Sequence, residues 1–355
     1  MRVAILVSGL PPEHLGGAEI AALQIARTAL RRGHEPYLVT VGGQSSHDNI
    51  DGVPVYHAKT IENRFVRNVA CAPAVIGVIR AIKPEIVHAQ SAYMAPAAIA
   101  IHLVTGVSYL LYERGGVYMN SFFNWPLYFG ALTLADRVIA QTEHQKQKLL
   151  TYRHREIEVI PNGVDVSRFS GLDRRAARQS LNLRAGGKIV LAVGRLRPEK
   201  NMADLVRVAA MLSQYDFILV GDGPQMESLK ALDKGKRVNF VGGLDNSMVP
   251  TYMAAADILV NTSETEGFPV SILEAMAAGL PIVAPRVCGI PEIVGHEVNG
   301  MLTRPGDWES TARAVTYILE RPLMVAAMAN ANRLKAAEYS WDNVVQKLYE
   351  QEDNN

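Results

Sequence analysis

The chain has 355 residues, 48% hydrophobic and 20% charged, which is enough for two domains that each bury a core. Lys and Arg number 36 against 35 Asp and Glu; the net charge of +1 argues against a nucleic-acid binder or an acidic tail protein. Two cysteines, Cys71 and Cys288, exclude a disulfide framework and a cysteine-rich metal site, and they suit a reducing compartment.

The opening Met1–Ser8 is too short for the apolar core of a signal peptide. The longest apolar stretch, Ala95–Val104, is about half a bilayer span. The expectation is a cytoplasmic chain that crosses no membrane, with contact limited to the periphery of the inner membrane face. Val3–Val7 reads as a buried strand, followed by a loop at Gly16 and Gly17. Glu19 to Arg32 reads as a helix with Ile20, Leu23, Ala26 and Leu30 on one face. Arg31 and Arg32 suit its last turn, and Gly33 suits a left-handed stop. Tyr37–Val41, Val53–Tyr56, Glu85–His88, Ser108–Tyr112 and Arg137–Gln141 continue the strands.

The series restarts at Ile189–Val193 and runs through Phe217–Val220, Val238–Val241, Ile258–Val260 and Ile282–Ala284. Ser340–Glu350 reads as a terminal helix with Trp341, Val344, Val345 and Leu348 as its apolar face. Strands separated by helical stretches imply crossovers and parallel sheets covered on both faces. The fold class expected is α/β, two Rossmann-like domains with parallel sheets facing an interdomain cleft. The bounds expected are 1–165, 166–338, and a terminal helix in 339–355. Open α/β sheets bind ligands beyond the carboxyl ends of their strands, so the loops after the strands should carry the chemistry.

The most informative of these loops is Thr265–Gly279, where Glu266 and Glu274 flank the start of a helix. Pro269 suits the first helical position, and the amides of Val270 and Ser271 then form an anion site favoured by the helix dipole. Carboxylates accept sugar hydroxyls well, although two Glu at such a spacing are more often solvated surface charges. Arg195 and Lys200 follow Gly194 after the strand Ile189–Val193, where two fixed cations can balance a diphosphate as it leaves. Gly16-Gly17-Ala18-Glu19 permits close backbone approach to a phosphate or sugar, but it is not the three-glycine dinucleotide fingerprint. The backbone of Phe240 and Val241 suits a base edge, and Gly221-Asp222-Gly223-Pro224 is a strand-to-helix turn that suits either a nucleotide contact or, at least as well, a tight turn and nothing more.

Several segments in order resemble the retaining nucleotide-sugar glycosyltransferases of family four, which have the GT-B fold. They are Ile160–Asp165, Gly194-Arg195-Leu196 with Lys200-Asn201, Leu219–Pro224, and Glu266-Gly267-Phe268-Pro269 through Glu274–Gly279. Gly16–Glu19, Val87-His88-Ala89 and Ala135–Ala140 agree in the first half. The resemblance implies that Arg195 and Lys200 bind the donor diphosphate, that Glu266 contacts the transferred sugar, and that Glu274 holds the ribose. It also implies that Gly267, Phe268, Pro269 and Val270 line the sugar and phosphate, and that Gly17 approaches the diphosphate from the first domain. It further implies metal-free, front-side displacement, with a final helix that returns to the first domain.

One departure is visible. Many relatives carry a His after the strand that is here Ser108–Tyr112, whereas this chain reads Tyr112-Glu113-Arg114-Gly115-Gly116. Arg114 is the candidate for that place, with Glu113 as the alternative; an Arg donates hydrogen bonds but does not titrate as His does.

The first domain is expected to bind the acceptor, with Gly16, His14 and His88 as contacts, although His88 suits support of the sheet rim better than it suits chemistry. The aromatic run Tyr118–Phe129 and the basic pair Arg64 and Arg67 suit either a sugar-stacking or membrane-facing surface, or a buried helix. The activity expected is sugar transfer from a nucleotide diphosphate sugar to a hydroxyl of a glycan, a glycolipid or a small acceptor. No nucleic acid, cofactor or metal is expected. The alternatives are a catalytically silent nucleotide-sugar-binding subunit and another GT-B enzyme such as a nucleotide-sugar epimerase.

Overall fold

The computed structural model describes residues 1–10, 17–42, 46–60, 70–90, 92–114, 125–153 and 155–350. These form two compact units. One comprises Met1–Asn162 with Trp341–Asn355, the other Gly163–Ser340.

The first unit is built on β1 (Arg2–Leu6), β2 (Glu35–Gly42), β3 (Ser46–Ile50), β4 (Val53–Lys59), β5 (Ile86–Ala89), β6 (Ser108–Tyr112), β7 (Arg137–Ala140) and β8 (Glu158–Val159). Their order is β3-β4-β2-β1-β5-β6-β7-β8. Every pairing is parallel except β3 on β4, an antiparallel hairpin at the sheet edge. Buried apolar residues alternate between the two faces, as a sheet covered on both sides requires. Val3 and Ile5 pack with the helices Gly17–Arg31 and Trp341–Tyr349. Ala4 and Leu6 pack on the opposite face with Ala72–Ile82 and Ala95–Thr105. The terminal helix buries Trp341, Val344, Val345 and Leu348, at spacings that place them on one side, and each contributes roughly 1.5–3 kcal/mol.

The second unit repeats the plan with β9 (Ile189–Val193), β10 (Asp216–Val220), β11 (Val238–Gly242), β12 (Ile258–Val260), β13 (Ile282–Pro285) and β14 (Gly300–Thr303). All are parallel, in the order β11-β10-β9-β12-β13-β14. Val190 and Ala192 face the helices Met202–Met211 and Trp308–Leu319, while Ile189 and Leu191 face Val249–Ala255 and Val270–Ala278. Asp257, 3% exposed, ties the base of this sheet by accepting from Arg178, Arg174 and the Ile189 amide. The two Rossmann-like, largely parallel sheets are those expected. The hairpin strand β3 and the short strands β8 and β14 were not.

Candidate active site

The strand order of the second sheet reverses between β9 and β12. At such a switch point the two loops diverge and leave a crevice, which is where open α/β sheets take their ligands. The loop after β9 is Gly194–Asn201, and the loop after β12 begins at Asn261.

The first loop is held by backbone contact. Leu196 N donates to Asp222 O at 2.9 Å, Gln225 N donates to Leu196 O at 3.1 Å, and Gly194 N donates to Val220 O at 3.0 Å. Gly221 has φ +142° and Gly223 φ +157°, and a Cβ on either would strike the backbone of Gly194 or Leu196. The turn Gly221–Pro224 therefore braces the loop that carries Arg195. Arg195 itself is exposed. Asn201 takes a left-handed conformation, φ 44°, which ends the short turn Pro198–Lys200 and starts the next helix.

The two loops are joined directly. Thr262 Oγ1 donates to Lys200 O at 3.0 Å, and Glu264 N donates to Glu199 O at 2.9 Å. Above these bonds Lys200 Nζ meets Glu266 Oε1 at 2.5 Å. The same oxygen accepts from Ser263 Oγ at 2.8 Å and from Asn261 Nδ2 at 3.5 Å. The Glu266 side chain is 8% exposed. It is thus a nearly buried carboxylate with one oxygen saturated, not a solvated surface charge. Sequence reasoning missed Ser263 and Asn261, because a Ser and an Asn in a loop carry no signal until the chain turns back on itself.

Glu274 lies on the helix Val270–Ala278, half-buried, and no hydrogen bond to its carboxylate forms among the described residues. Burial pushes it up to about 7, opposed by the nearby Arg168 charge. The helix begins one residue later than expected: Pro269 is its N-cap, with ψ 106°, and Val270 is the first helical residue. No side chain caps this end, so the amides of Val270 and Ser271 stay available to an anion. Gly267 is exposed beside them, while the Phe268 ring turns inward, 7% exposed and 5.8 Å from the Tyr339 ring. Only the backbone of Phe268 can line a ligand. Phe240 and Val241 lie on the edge strand β11, partly exposed, with their side chains against the core.

In the first unit Gly17 is the first residue of its helix, exposed, with open space where a Cβ would be. His14 and Gly16, as well as Arg64, Arg67 and most of the aromatic run, lie outside the described residues. His88 is fully buried. Its ring stacks on Tyr112, with centroids 5.8 Å apart. With the Gln90 amide oriented to satisfy its neighbours, Gln90 Nε2 donates to His88 Nε2 at 2.7 Å. That leaves the proton on Nδ1, which donates to the Tyr349 hydroxyl at 2.6 Å. Burial and the Arg114 charge hold the ring well below its usual pKa. A neutral, buried His88 with both nitrogens engaged supports the sheet rim, the role its sequence position suited better. Of the two candidates after β6, Glu113 is 1% exposed and faces the Tyr128 hydroxyl, whereas Arg114 is half-buried.

Two family models match consecutive parts of the chain: "Glycosyltransferase Family 4" over residues 15–168 and "Glycosyl transferases group 1" over residues 173–335. The chain is similar to an uncharacterized glycosyltransferase of Methanocaldococcus jannaschii, 26% identical across 98% of this chain and 96% of that one. Among solved structures it resembles the sucrose-phosphate synthase of Thermosynechococcus elongatus, with a TM-score of 0.85 at 21% identity over 98% and 97% of the two chains. It also resembles Anabaena HepE in complex with UDP-glucose, with a TM-score of 0.83 at 23% identity over 99% and 98%. At these identities the two structures speak for the fold. Taken with the doubly wound architecture of both units, they give this chain the GT-B fold, and the two family models match the first and the second unit each to a glycosyltransferase family.

Proposed function

We propose that this chain moves a sugar from a nucleoside diphosphate sugar to a hydroxyl acceptor with retention of configuration, in the manner of the family-four enzymes. The observation that carries the reading is the switch point of the second sheet. There Lys200, Glu266 and the uncapped helix end at Val270 stand together, with Glu274 one turn inside. These supply a cation and amides for a diphosphate, and carboxylates for the hydroxyls of sugar and ribose. Anabaena HepE, similar in fold, was crystallised with UDP-glucose, which supports a nucleotide-linked donor.

In this reading the incoming diphosphate competes with Glu266 for Lys200. The freed Glu266 then accepts sugar hydroxyls, while Lys200, Arg195 and the helix end share the charge of the leaving group. The glycosidic carbon–oxygen bond breaks, and the acceptor oxygen attacks the face the diphosphate has just left. The acceptor proton passes to the leaving phosphate oxygen. Counter-charge from Lys200 and Arg195 removes the need for a metal ion in this scheme. Gly17 would approach the diphosphate, and Arg114 would stand near the sugar. A glycan, glycolipid or small acceptor would be taken by the first unit, at the periphery of the inner membrane face when it is lipid-linked. Among the described residues no helix is long and apolar enough to cross a membrane.

The test is a calorimetric panel of UDP, GDP and ADP, followed by transfer assays with the sugar form of whichever binds and NMR of the product anomer. Binding of one nucleotide and a product with the donor's anomeric configuration are expected. An inverted product overturns retention, and absence of any nucleotide binding overturns the whole reading.

A further inference from the structure

At the carboxyl end of β6 the Arg114 guanidinium is clamped by three neutral groups. Its Nη1 donates to Asn162 Oδ1 at 2.7 Å. Its Nε and Nη2 reach the Gln90 carbonyl at 3.3 Å each. Its central carbon stands 4.1 Å from the centroid of the Tyr112 ring. Tyr112 is itself fixed, its hydroxyl donating to Ile160 O at 2.7 Å.

Three other arginines are neutralised or sealed. Arg137 forks onto Glu158 and adds the Leu348 carbonyl. Arg178 meets Asp257 at 2.7 Å. Arg153, 4% exposed, donates to the Leu132 and Ala135 carbonyls. Arg114 has no ion pair among the described residues. The carboxylates around it are committed elsewhere: Glu113 is buried against Tyr128, and Glu19, within electrostatic reach, accepts from Ser8 Oγ at 3.3 Å.

A guanidinium carries five N–H donors. Asn162 and Gln90 engage one on each nitrogen, so each terminal nitrogen keeps one N–H. The stacked, clamped plane cannot swing away into water, and it stands half-buried at the ligand rim of an open sheet. Holding a partly desolvated cation among neutral partners is costly unless an opposite charge arrives. Two remaining N–H groups on a fixed plane fit the two oxygens of a carboxylate or phosphate.

We propose that Arg114 recognises an anionic substituent, a carboxylate or a phosphate, carried either by the transferred sugar or by the acceptor. The inference rests on the transferase reading above and names the substrate class of that site. Arg114 selects by charge, so a neutral congener forgoes the charge-assisted, bidentate pair that an anionic one makes.

The experiment uses the full chain and two arms. One compares UDP-glucose with UDP-glucuronic acid, or GDP-mannose with GDP-mannuronic acid, according to which nucleotide binds. The other compares neutral hexose acceptors with a hexose 6-phosphate and a hexuronic acid. The expected result is a preference of roughly tenfold or more in kcat/KM for the anionic member in one arm, and that arm identifies the carrier of the charge. Arg114→Gln abolishes the preference, and Arg114→Lys keeps part of it. Equal rates for neutral and anionic members in both arms overturn the inference. So does a preference that survives in folded Arg114→Gln protein. Failure of the transferase reading shows separately, as no nucleotide binding in the wild-type chain.

Discussion

Lys200 Nζ and Glu266 Oε1 lie 2.5 Å apart across the switch point between β9 and β12, although 66 residues separate them in the chain. The contact holds a cation and an anion ready for opposite parts of one ligand. Glu266→Ala should abolish transfer while nucleotide affinity is retained or rises, because the carboxylate serves the sugar and competes with the diphosphate for Lys200. Lys200→Ala should weaken nucleoside diphosphate binding by roughly 1.5–3 kcal/mol, the range for a hydrogen bond to a charged group. Steady-state kinetics and calorimetry on the two variants check this; the reverse pattern would exchange their roles.

Ser263 is 1% exposed and donates to the oxygen of Glu266 that Lys200 also uses. Removing its hydroxyl frees the carboxylate to rotate. Ser263→Ala should lower kcat by about tenfold, worth roughly 1.4 kcal/mol, with the affinity for free UDP unchanged. A positioning role is distinguished from a structural one by that split, read from kcat against UDP affinity in a variant whose melting temperature is retained.

Glu274 carries a pH signature. Its pKa rises from 4.5 to about 7 on burial, so the folded state keeps a proton that the unfolded chain releases. The stability from this group is complete below pH 4.5 and is lost as pH rises towards 7. Glu274→Gln should flatten that slope in thermal melts of the ligand-free protein. Ribose hydroxyls favour the ionised acceptor, so nucleotide binding near pH 6 should release a proton. Calorimetry in buffers of different ionisation enthalpy reads the release, and the Gln variant should lack its contribution.

The backbone-on-backbone contact at Gly221 leaves no room for a side chain. Gly221→Ala should cost about 2–4 kcal/mol, through strain at φ +142° and displacement of Gly194. Urea unfolding measures the loss. Gly186→Ala, where a Cβ meets nothing within 4 Å, is the matched control and should cost far less.

The sequence by itself determined the α/β plan. Apolar runs such as Ile189–Val193, Ser108–Tyr112 and Ile258–Val260 coincide with strands, because a strand buried on both faces must be apolar throughout. The hairpin strand Ser46–Ile50 was invisible for the same reason: it is exposed, polar and at the edge, so no hydrophobic pattern marks it. Order along the chain also announced Lys200, Glu266 and Glu274 as a group. Only the tertiary structure decided what each side chain touches. The strand order brings Lys200 onto Glu266, a turn in the loop delivers Ser263, and the terminal helix carries Tyr349 onto His88 from 261 residues away. Hydrogen bonds act over about 3 Å, so their partners depend on how the chain packs, whereas hydrophobic burial leaves a repeating mark in the sequence itself.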